Sequence, residues 1–226
     1  NYSIHIGSRT QAQVDIRGDM STPFEKLRFN LRRQPSFLMP PQFDWKSHDK
    51  QLCLVNPLGG EITGEASTAD FGRGGRKVFI VFDEFAAFPE DEAAWASAAQ
   101  STNVRLAIST PMGPHNKFAR IINGKDKEVC SIKRLHWSIH PVKSAGLMHT
   151  ASGALTSPWY ESQKATMSEE DIARELDINY ATSIKGQIFP DYTEKHKVTD
   201  YKPDGSGVIV RCFDPGLTFF ILWLHI

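Results

Sequence analysis

The chain has 226 residues, of which 40% are hydrophobic and 23% are charged. This composition is typical of a globular protein and excludes a disordered or low-complexity chain. The 26 basic and 26 acidic side chains cancel, which excludes a histone-like polycation but still permits a local basic patch that holds phosphates.

The cysteines and the apolar runs exclude further classes. Cys53, Cys130 and Cys212 are far apart and form no C-x-x-C pair, which argues against a disulfide framework or a zinc cluster and fits a reducing cytoplasm. The longest apolar run, residues 218–226, is about half the length that a membrane helix needs. We therefore expect no membrane partner.

The first part of the chain predicts short strands around one basic helix. Residues 2–6 predict a strand, and Pro23 after Ser21-Thr22 predicts the first turn of a helix. Residues 51–55 and 60–63 predict two strands joined by a turn. The polar side of the helix carries four basic residues: Lys26, Arg28, Arg32 and Arg33. These side chains could either follow a DNA backbone or form a solvated helix face.

Two unalternating apolar runs predict strands that are covered on both faces of a parallel sheet. Residues 77–82 lead into Asp83-Glu84, and residues 104–108 lead into Ser109-Thr110-Pro111. Between them, the Ala-rich residues 91–100 predict a helix. Together these elements form a βαβ unit, in which ligands bind beyond the carboxyl ends of the strands.

The remaining elements predict a change of domain. Residues 129–137 predict a strand, and residues 157–167 and 168–180 predict two helices. The polar residues 191–207 predict a linker between domains. Residues 208–213 predict a new strand that ends at Asp214, with residues 218–226 as its hairpin partner. Both chain ends fall within predicted strands, so we expect the chain to be part of a longer protein.

Asp83 and Glu84 are the first candidates for chemistry. In α/β domains that hydrolyse nucleotides, a carboxylate at a strand end holds Mg²⁺, and the next acid orients and polarises the attacking water. Two acids are needed because one residue cannot both neutralise the metal and act as the base. The alternative is that the acids only cap the next helix.

Two further motifs accompany the acids. Ser109 and Thr110, fixed by Pro111, could sense a γ-phosphate, or they could form a plain exit from the strand. Arg73 and Arg76 lie in a glycine-rich turn from which a guanidinium could stabilise charge in phosphoryl transfer. The alternative for this turn is an exposed basic loop. All three motifs in this order and at this spacing are far less expected by chance than any one of them.

This conjunction resembles the large terminase subunit of tailed bacteriophages, the motor that drives viral DNA into an empty capsid. The resemblance extends in order along nearly the whole chain, through IGSRT at 6–10, VDIRGD at 14–19, GEITGEA at 60–66, STPMG at 109–113 and GQIF at 186–189. It implies an α/β fold of the P-loop NTPase (ASCE) type, with a mostly parallel sheet flanked by helices. The start of an RNase H-like nuclease domain would follow, which gives an ATPase domain at 1–190, a linker at 191–207 and the nuclease domain from 208 to 226.

The resemblance also implies roles for the candidate residues. Asp83 would hold Mg²⁺ beside ATP, and Glu84 would activate water. Ser109 and Thr110 would couple hydrolysis to movement.

Three further candidates come from the same resemblance. Arg73 would reach the nucleotide of a neighbouring subunit, and Arg76 is the rival for contact with the nucleotide. Asp214 would be one of the carboxylates that bind Mg²⁺ or Mn²⁺ in the nuclease.

The chain also departs from the family pattern. It contains no G-x-x-x-x-G-K-[ST] loop to cradle phosphates, and only one nuclease carboxylate is recognisable, whereas two-metal hydrolysis needs several. This polypeptide alone is therefore expected to hydrolyse ATP and to cut DNA poorly.

The function that the resemblance implies is ATP-driven translocation of double-stranded DNA into the procapsid, with metal-dependent endonuclease cleavage of concatemeric DNA. The implied partners are DNA, the portal protein, the small terminase subunit and further copies of the chain in a ring, in the bacterial host cytoplasm. One alternative is a DExx-type DNA translocase of another family. The other is a catalytically silent prophage remnant that binds only DNA or the portal.

Overall fold

A computed structural model describes residues 2–124, 130–180 and 202, together with the backbone of residues 209–214 and 220–225. Contacts group the chain into two compact units, Asn1–Gly186 and Gln187–Ile226. The first unit contains a six-stranded sheet with helices, and the second contains a two-stranded hairpin. No helix within these ranges has the length and apolarity needed to cross a membrane.

The strands of the first unit are β1 (Ser3–Ser8), β2 (Asp49–Lys50), β3 (Cys53–Val55), β4 (Glu61–Ala66), β5 (Phe79–Asp83), β6 (Arg105–Ile108), β7 (Met148–His149) and β8 (Leu155–Thr156). Its helices are α1 (Gln11–Val14), α2 (Pro23–Arg32), α3 (Trp45–His48), α4 (Asp91–Ser101), α5 (Lys117–Ile122), α6 (Pro158–Lys164) and α7 (Glu169–Glu175). Short 3₁₀ turns lie at Ser36–Leu38, Phe85–Ala87 and Trp137–Ile139. The hairpin consists of β9 (Ile209–Asp214) and β10 (Phe220–His225).

The central sheet has the strand order β2-β3-β4-β1-β5-β6. Strands β4, β1, β5 and β6 run parallel to one another, whereas β3 pairs antiparallel with β2 and with β4. The turn between β3 and β4 depends on Gly60, which has a φ of 115° and on which a Cβ would lie 2.7 Å from the carbonyl oxygen of Tyr2. The predicted α/β class with a mostly parallel sheet is confirmed.

One face of the sheet is covered by an aromatic cluster. Phe71, Phe82 and Phe85 are fully buried, and the ring of Phe82 lies 4.9 Å from that of Phe71 and 4.8 Å from that of Phe85. Trp95 of α4 packs 5.2 Å from Phe82, so the predicted Ala-rich helix is confirmed and covers this face. Gly7 in β1 is required here, because a Cβ on it would lie 1.9 Å from the Phe71 ring.

The opposite face is covered by α1 and α2 through Val14 and Phe24, which are fully buried and pack with Leu54 of β3. The helix predicted after Ser21 is confirmed, and Pro23 is its first residue. Proline suits this position because the missing N–H would have had no partner within the helix.

The interpretation of the basic helix is wrong for Arg28, which is fully buried. Its Nη1 and Nη2 donate to the two carboxylate oxygens of Asp15 at 2.5 and 2.9 Å, and its Nε donates to Asp49 at 2.9 Å. Both carboxylates are themselves buried, and buried charges of this kind need an opposite charge. The other three basic side chains are exposed: Lys26, Arg32 and Arg33.

The prediction that β5 and β6 are covered on both faces is also wrong. In β5 only alternate residues are buried. In β6 the side chains of Leu106 and Ile108 are 49% and 51% exposed. Strand β6 is the outermost strand of the sheet, and its alternate residues share one face, so this face is left partly open to solvent.

The elements after β6 confirm most of the predictions. Helices α6 and α7 are capped by Ser157 and Ser168, whose hydroxyl groups accept backbone N–H groups three residues on. The strand predicted over 129–137 is wrong, because residues 130–136 form no strand and their apolar members Ile132 and Leu135 do not alternate along one face.

The hairpin predicted near the end of the chain is confirmed as the antiparallel pair β9 and β10. The predicted linker at 191–207 lies outside the described residues except for Lys202. The predicted domain boundaries, including the start of a nuclease domain at residue 208, therefore stay predictions.

Candidate functional site

The carboxyl ends of three parallel strands meet at one edge of the sheet. Phe82 of β5 pairs with Gly7 of β1, and Asp83 at the end of β5 pairs with Ile108 at the end of β6. The segments that follow these strands therefore emerge side by side. The structure thus brings together the predicted pairs Asp83-Glu84 and Ser109-Thr110, as expected for the ligand-binding edge of an α/β sheet.

Asp83 is half-buried at the end of β5. Burial raises the pKa of its carboxyl group above the ordinary value, and the charge of Lys26 on α2 and the backbone N–H of Glu84 offset this effect only in part. A half-buried carboxylate next to one exposed lysine is poorly neutralised. Asp83 is therefore well suited to meet a cation.

Glu84 has a backbone conformation that is unusual for its residue type. Its φ and ψ are 54° and 40°, in the left-handed region, which costs a residue with a side chain about 1 kcal/mol or more. The following 3₁₀ turn buries Phe85 and Ala86, and the N–H of Ala87 donates to the carbonyl oxygen of Glu84 over 2.9 Å. Burial of this turn compensates the strain and leaves the carboxylate exposed at the strand end.

Ser109 links the two strand ends. Its hydroxyl oxygen accepts the backbone N–H of Ala86 at 3.1 Å and donates to the carbonyl oxygen of Thr110 at 3.0 Å. Thr110 is exposed, and Pro111 behind it is fully buried. The segment after β6 is thus fastened to the turn that carries Glu84 on one side and to the protein interior on the other.

A further residue at this edge, Gln13, was missed by the sequence reasoning. Its Nε2 donates to the Glu84 carboxylate over 3.4 Å, while its Oε1 accepts the hydroxyl of Thr10 over 3.2 Å. Thr10 also caps α1 by accepting the N–H of Gln13. Thr10-Gln11-Ala12-Gln13 has the capping-box pattern of a threonine followed three residues later by glutamine, which predicts the start of α1 but not the contact with Glu84.

Arg73 and Arg76 lie in the segment before β5. This segment begins where the N–H of Ser67 bonds to Ser8 at the end of β1, and it ends where the N–H of Val78 bonds to Ser3 at the start of β1. The Arg73 guanidinium pairs with Asp70 at 2.6 Å and is 60% exposed. Arg76 is also exposed. Within the described residues, neither arginine forms an ion pair with Asp83 or Glu84, and the roles of Arg73 and Arg76 stay predictions.

Asp214 belongs to the second unit, where it is the last residue of β9 and pairs with Phe220 of β10. The sequence also predicts that Asp214 lies at the carboxyl end of a strand. Its role in a nuclease stays a prediction.

The residues at the edge of the sheet suit Mg²⁺ rather than a softer metal. Among the described residues, no three acidic, histidine or cysteine side chains form a group that could hold a metal ion by themselves. The donors here are oxygen atoms, and the buried hydroxyl oxygen of Ser8, at the end of β1 next to β5, has no hydrogen-bond partner in the described part of the chain. Mg²⁺ commonly uses one or two carboxylates and takes its other ligands from water and phosphate.

Comparison with known proteins defines the class of fold. No family model matches the chain, and no curated protein sequence is significantly similar to it. Among solved structures, the large terminase of a thermophilic bacteriophage in complex with ADP matches 99% of this chain and 52% of its own, with a TM-score of 0.51 and 16% sequence identity. The chain thus spans about half the length of that protein.

The ATPase domain of the large terminase from Thermus phage P74-26 also matches, over 79% of this chain and 76% of its own, with a TM-score of 0.42 and 18% identity. At these identities the similarity to the ADP-bound terminase shows a shared fold. That fold is the α/β fold with a mostly parallel sheet found in a phage large terminase, in agreement with the resemblance noted in the sequence.

Proposed function

We propose that the chain is the ATPase part of a DNA-packaging motor subunit of the large terminase type. The observation that carries this proposal is the hydrogen bond between Ser109 and Ala86, which joins the end of β6 to the turn after Asp83 and Glu84. A nucleotide-hydrolysing site needs a metal-binding carboxylate, a base for water and a segment that responds to the γ-phosphate. Asp83, Glu84 and Ser109 with Thr110, whose side chains suit these three tasks, lie together at this one edge.

In this proposal the two acids have separate tasks. Asp83 would hold Mg²⁺ through one carboxylate oxygen, directly or through water, and the ion would supply positive charge to the phosphate oxygens of ATP. Glu84 would orient a water molecule and take its proton while the water oxygen bonds to the γ-phosphorus and ADP leaves. Ser109 and Thr110 would transmit the loss of the γ-phosphate to the rest of the domain.

Hydrolysis also needs a loop that cradles the phosphates, and the sequence of 226 residues contains no G-x-x-x-x-G-K-[ST] motif. We propose that such a loop comes from a longer chain of which this sequence is a part. Within the described residues, β6 is an outer strand of the sheet, so a strand from such a longer chain could pair with it.

The wider role is proposed by similarity to the terminases. ATP hydrolysis would drive double-stranded DNA through the portal protein into the procapsid in the host cytoplasm. The chain would act as a ring of copies, with the small terminase subunit as a further partner.

A nuclease activity would follow from the second unit, with Asp214 as one metal-binding carboxylate. Asp214→Asn in the full-length protein is expected to abolish metal-dependent cleavage of DNA and to leave ATP turnover unchanged. Cleavage that survives this change would remove Asp214 from the proposed site.

The direct test of the ATPase is Glu84→Gln in the full-length protein, with Glu90→Gln as the control. Glu90 is an exposed acid six residues further along the same segment. Glu84→Gln is expected to lower ATP turnover by about a hundredfold or more, with ATP binding retained, whereas Glu90→Gln is expected to match the wild type. Equal turnover in the wild type and Glu84→Gln would reject Glu84 as the base.

The absence of a phosphate loop from these residues favours one alternative, a catalytically silent module that binds DNA or the portal. This alternative predicts that the full-length wild-type protein binds DNA but does not hydrolyse ATP. The same turnover measurement therefore separates it from the motor.

A further inference from the structure

Gln13 is fixed near Glu84 by its own short helix. The next residue, Val14, is fully buried and packs with Phe24, so the single turn of α1 is anchored to the sheet. Thr10 caps the start of this turn. The backbone of Gln13 is therefore fixed on one side by the cap at Thr10 and on the other by the buried Val14.

The orientation of the Gln13 amide is also determined by its neighbours. The hydroxyl of Thr10 accepts the backbone N–H of Gln13 over 3.3 Å and donates its own hydrogen to the Gln13 Oε1 over 3.2 Å. The hydroxyl could pair with either end of the amide, but a carboxylate can only accept, so the end that faces Glu84 is the amide NH₂. It donates to Oε2 of Glu84 over 3.4 Å.

The backbone of Glu84 is fixed as well, so the hydrogen bond from Gln13 acts on the side chain. The left-handed conformation of Glu84, the buried Phe85 and the link from Ala86 to Ser109 set where its Cα lies. The exposed carboxylate can still adopt several rotamers about its side-chain bonds. A hydrogen bond to one oxygen removes much of that freedom.

We propose that Gln13 is a positioning residue for the base: it holds Oε2 of Glu84 so that Oε1 faces the attacking water and takes its proton. The proposal rests on the proposed ATPase function. A neutral amide suits this task because it fixes the carboxylate without cancelling its negative charge. A lysine at this position would cancel that charge.

The test uses ATP turnover of the full-length protein with two changes at Gln13. Gln13→Ala removes the donor, and Gln13→Glu keeps the shape but replaces the donor with a second carboxylate. Gln11→Ala is the matched control, since Gln11 is an exposed residue of the same helix. We expect Gln13→Ala to lower kcat by about tenfold, as for loss of one hydrogen bond to a charged group.

The pattern across the variants separates positioning from folding. KM for ATP and the melting temperature of Gln13→Ala are expected to stay near those of the wild type, Gln13→Glu is expected to be slower than Gln13→Ala, and Gln11→Ala is expected to match the wild type. An unchanged kcat in Gln13→Ala, or an equal loss in Gln11→Ala, would overturn the proposal.

A double-mutant cycle tests whether Gln13 acts through Glu84. Gln13→Ala is expected to have no further effect on the residual turnover of Glu84→Gln, and an undiminished tenfold loss in that background would overturn the proposal. If Glu84→Gln abolishes turnover but Gln13→Ala does not lower it, the ATPase assignment stands and only the role of Gln13 falls. If Glu84→Gln turns over ATP like the wild type, both fall.

Discussion

The hydroxyl oxygen of Ser109 accepts the backbone N–H of Ala86 across a distance of 3.1 Å. Ser109 follows β6, and Ala86 lies two residues after Glu84, so this bond joins two segments that are separated by a helix in the chain. A shift of either segment would therefore displace the other or break this hydrogen bond. The contact supplies a physical route by which events at the acids could reach the segment after β6.

Ser109→Ala removes the acceptor and leaves the Ala86 N–H without this partner. Loss of one neutral hydrogen bond is expected to speed hydrogen exchange of the Ala86 amide by about fivefold. Thr110→Ala is the control, because the exposed Thr110 side chain does not accept this N–H. Exchange at Ala86 that is the same in Ser109→Ala and the wild type would show that the bond does not hold the turn.

The buried Arg28 is expected to dominate the stability of the region under α2. Arg28→Ala would leave Asp15 buried without its paired cation and Asp49 with only the half-exposed Arg17, which is expected to lower the free energy of unfolding by about 3–5 kcal/mol. Arg33→Ala is the matched control, since Arg33 is an exposed residue that follows the same helix. Chemical denaturation measures both, and similar losses in the two variants would contradict the buried network.

The same network predicts a loss of stability in acid. Burial acts to raise the pKa of Asp15, but the hydrogen bonds from Arg28 and from the N–H of Leu52, with the charges of Arg28 and Arg17, outweigh it and keep this pKa below 3.8. A lowered pKa stabilises the folded state at pH values above the ordinary pKa. This contribution is lost as the pH falls from about 4 through the lowered pKa of the folded state.

Unfolding free energies measured from pH 7 to pH 2 test this expectation. The wild type is expected to lose stability below about pH 4, with part of the loss absent in Asp15→Asn because that side chain does not titrate. An equally steep loss in Asp15→Asn would show that other groups cause the acid sensitivity.

Most of the fold was predictable because the strong local signals agree with the final packing. Pro23 begins α2, the strand that ends at Asp83 lies inside the sheet, and Ser168 caps α7. Each of these signals acts within a few residues, so tertiary contacts did not need to be known. The side-by-side placement of Asp83 and Ser109 followed from the parallel βαβ rule.

The failures have a different physical origin. Arg28 is a basic residue on the polar side of its helix, and only the approach of Asp15 and Asp49, 13 and 21 residues away in the chain, shows why it is buried. Leu106 and Ile108 are apolar residues of the kind found in a core. Their exposure could not be predicted because it depends on the position of β6 at the edge of the sheet. The contact between Gln13 and Glu84 spans 71 positions, which no local pattern encodes.

The resemblance to the terminases predicts that Arg73, whose side chain is 60% exposed, acts on the nucleotide of a neighbouring subunit. Arg73→Ala in the full-length protein is expected to lower ATP turnover by about 10³-fold, with ATP affinity nearly unchanged. Arg76→Ala is compared with it because Arg76 is the rival: a loss of turnover in Arg76→Ala with an unchanged rate in Arg73→Ala would assign the role to Arg76.

Mixing two inactive variants tests whether the arginine acts between subunits. In rings assembled from Arg73→Ala and Glu84→Gln subunits, some interfaces combine an intact Glu84 with an intact Arg73 from the neighbour. Partial recovery of ATP turnover on mixing is therefore expected. Mixed rings that stay as inactive as each variant alone would contradict action between subunits.

The proposed function requires that the ends of β5 and β6 form one site for a metal-bound nucleotide, a claim that binding of Mn²⁺ with ATP can check. Electron paramagnetic resonance of Mn²⁺, titrated into the full-length protein with ATP, gives the affinity for each variant. Asp83→Asn is expected to weaken binding by about tenfold or more, while Glu84→Gln binds like the wild type. Equal affinities for Asp83→Asn and the wild type would contradict the claim.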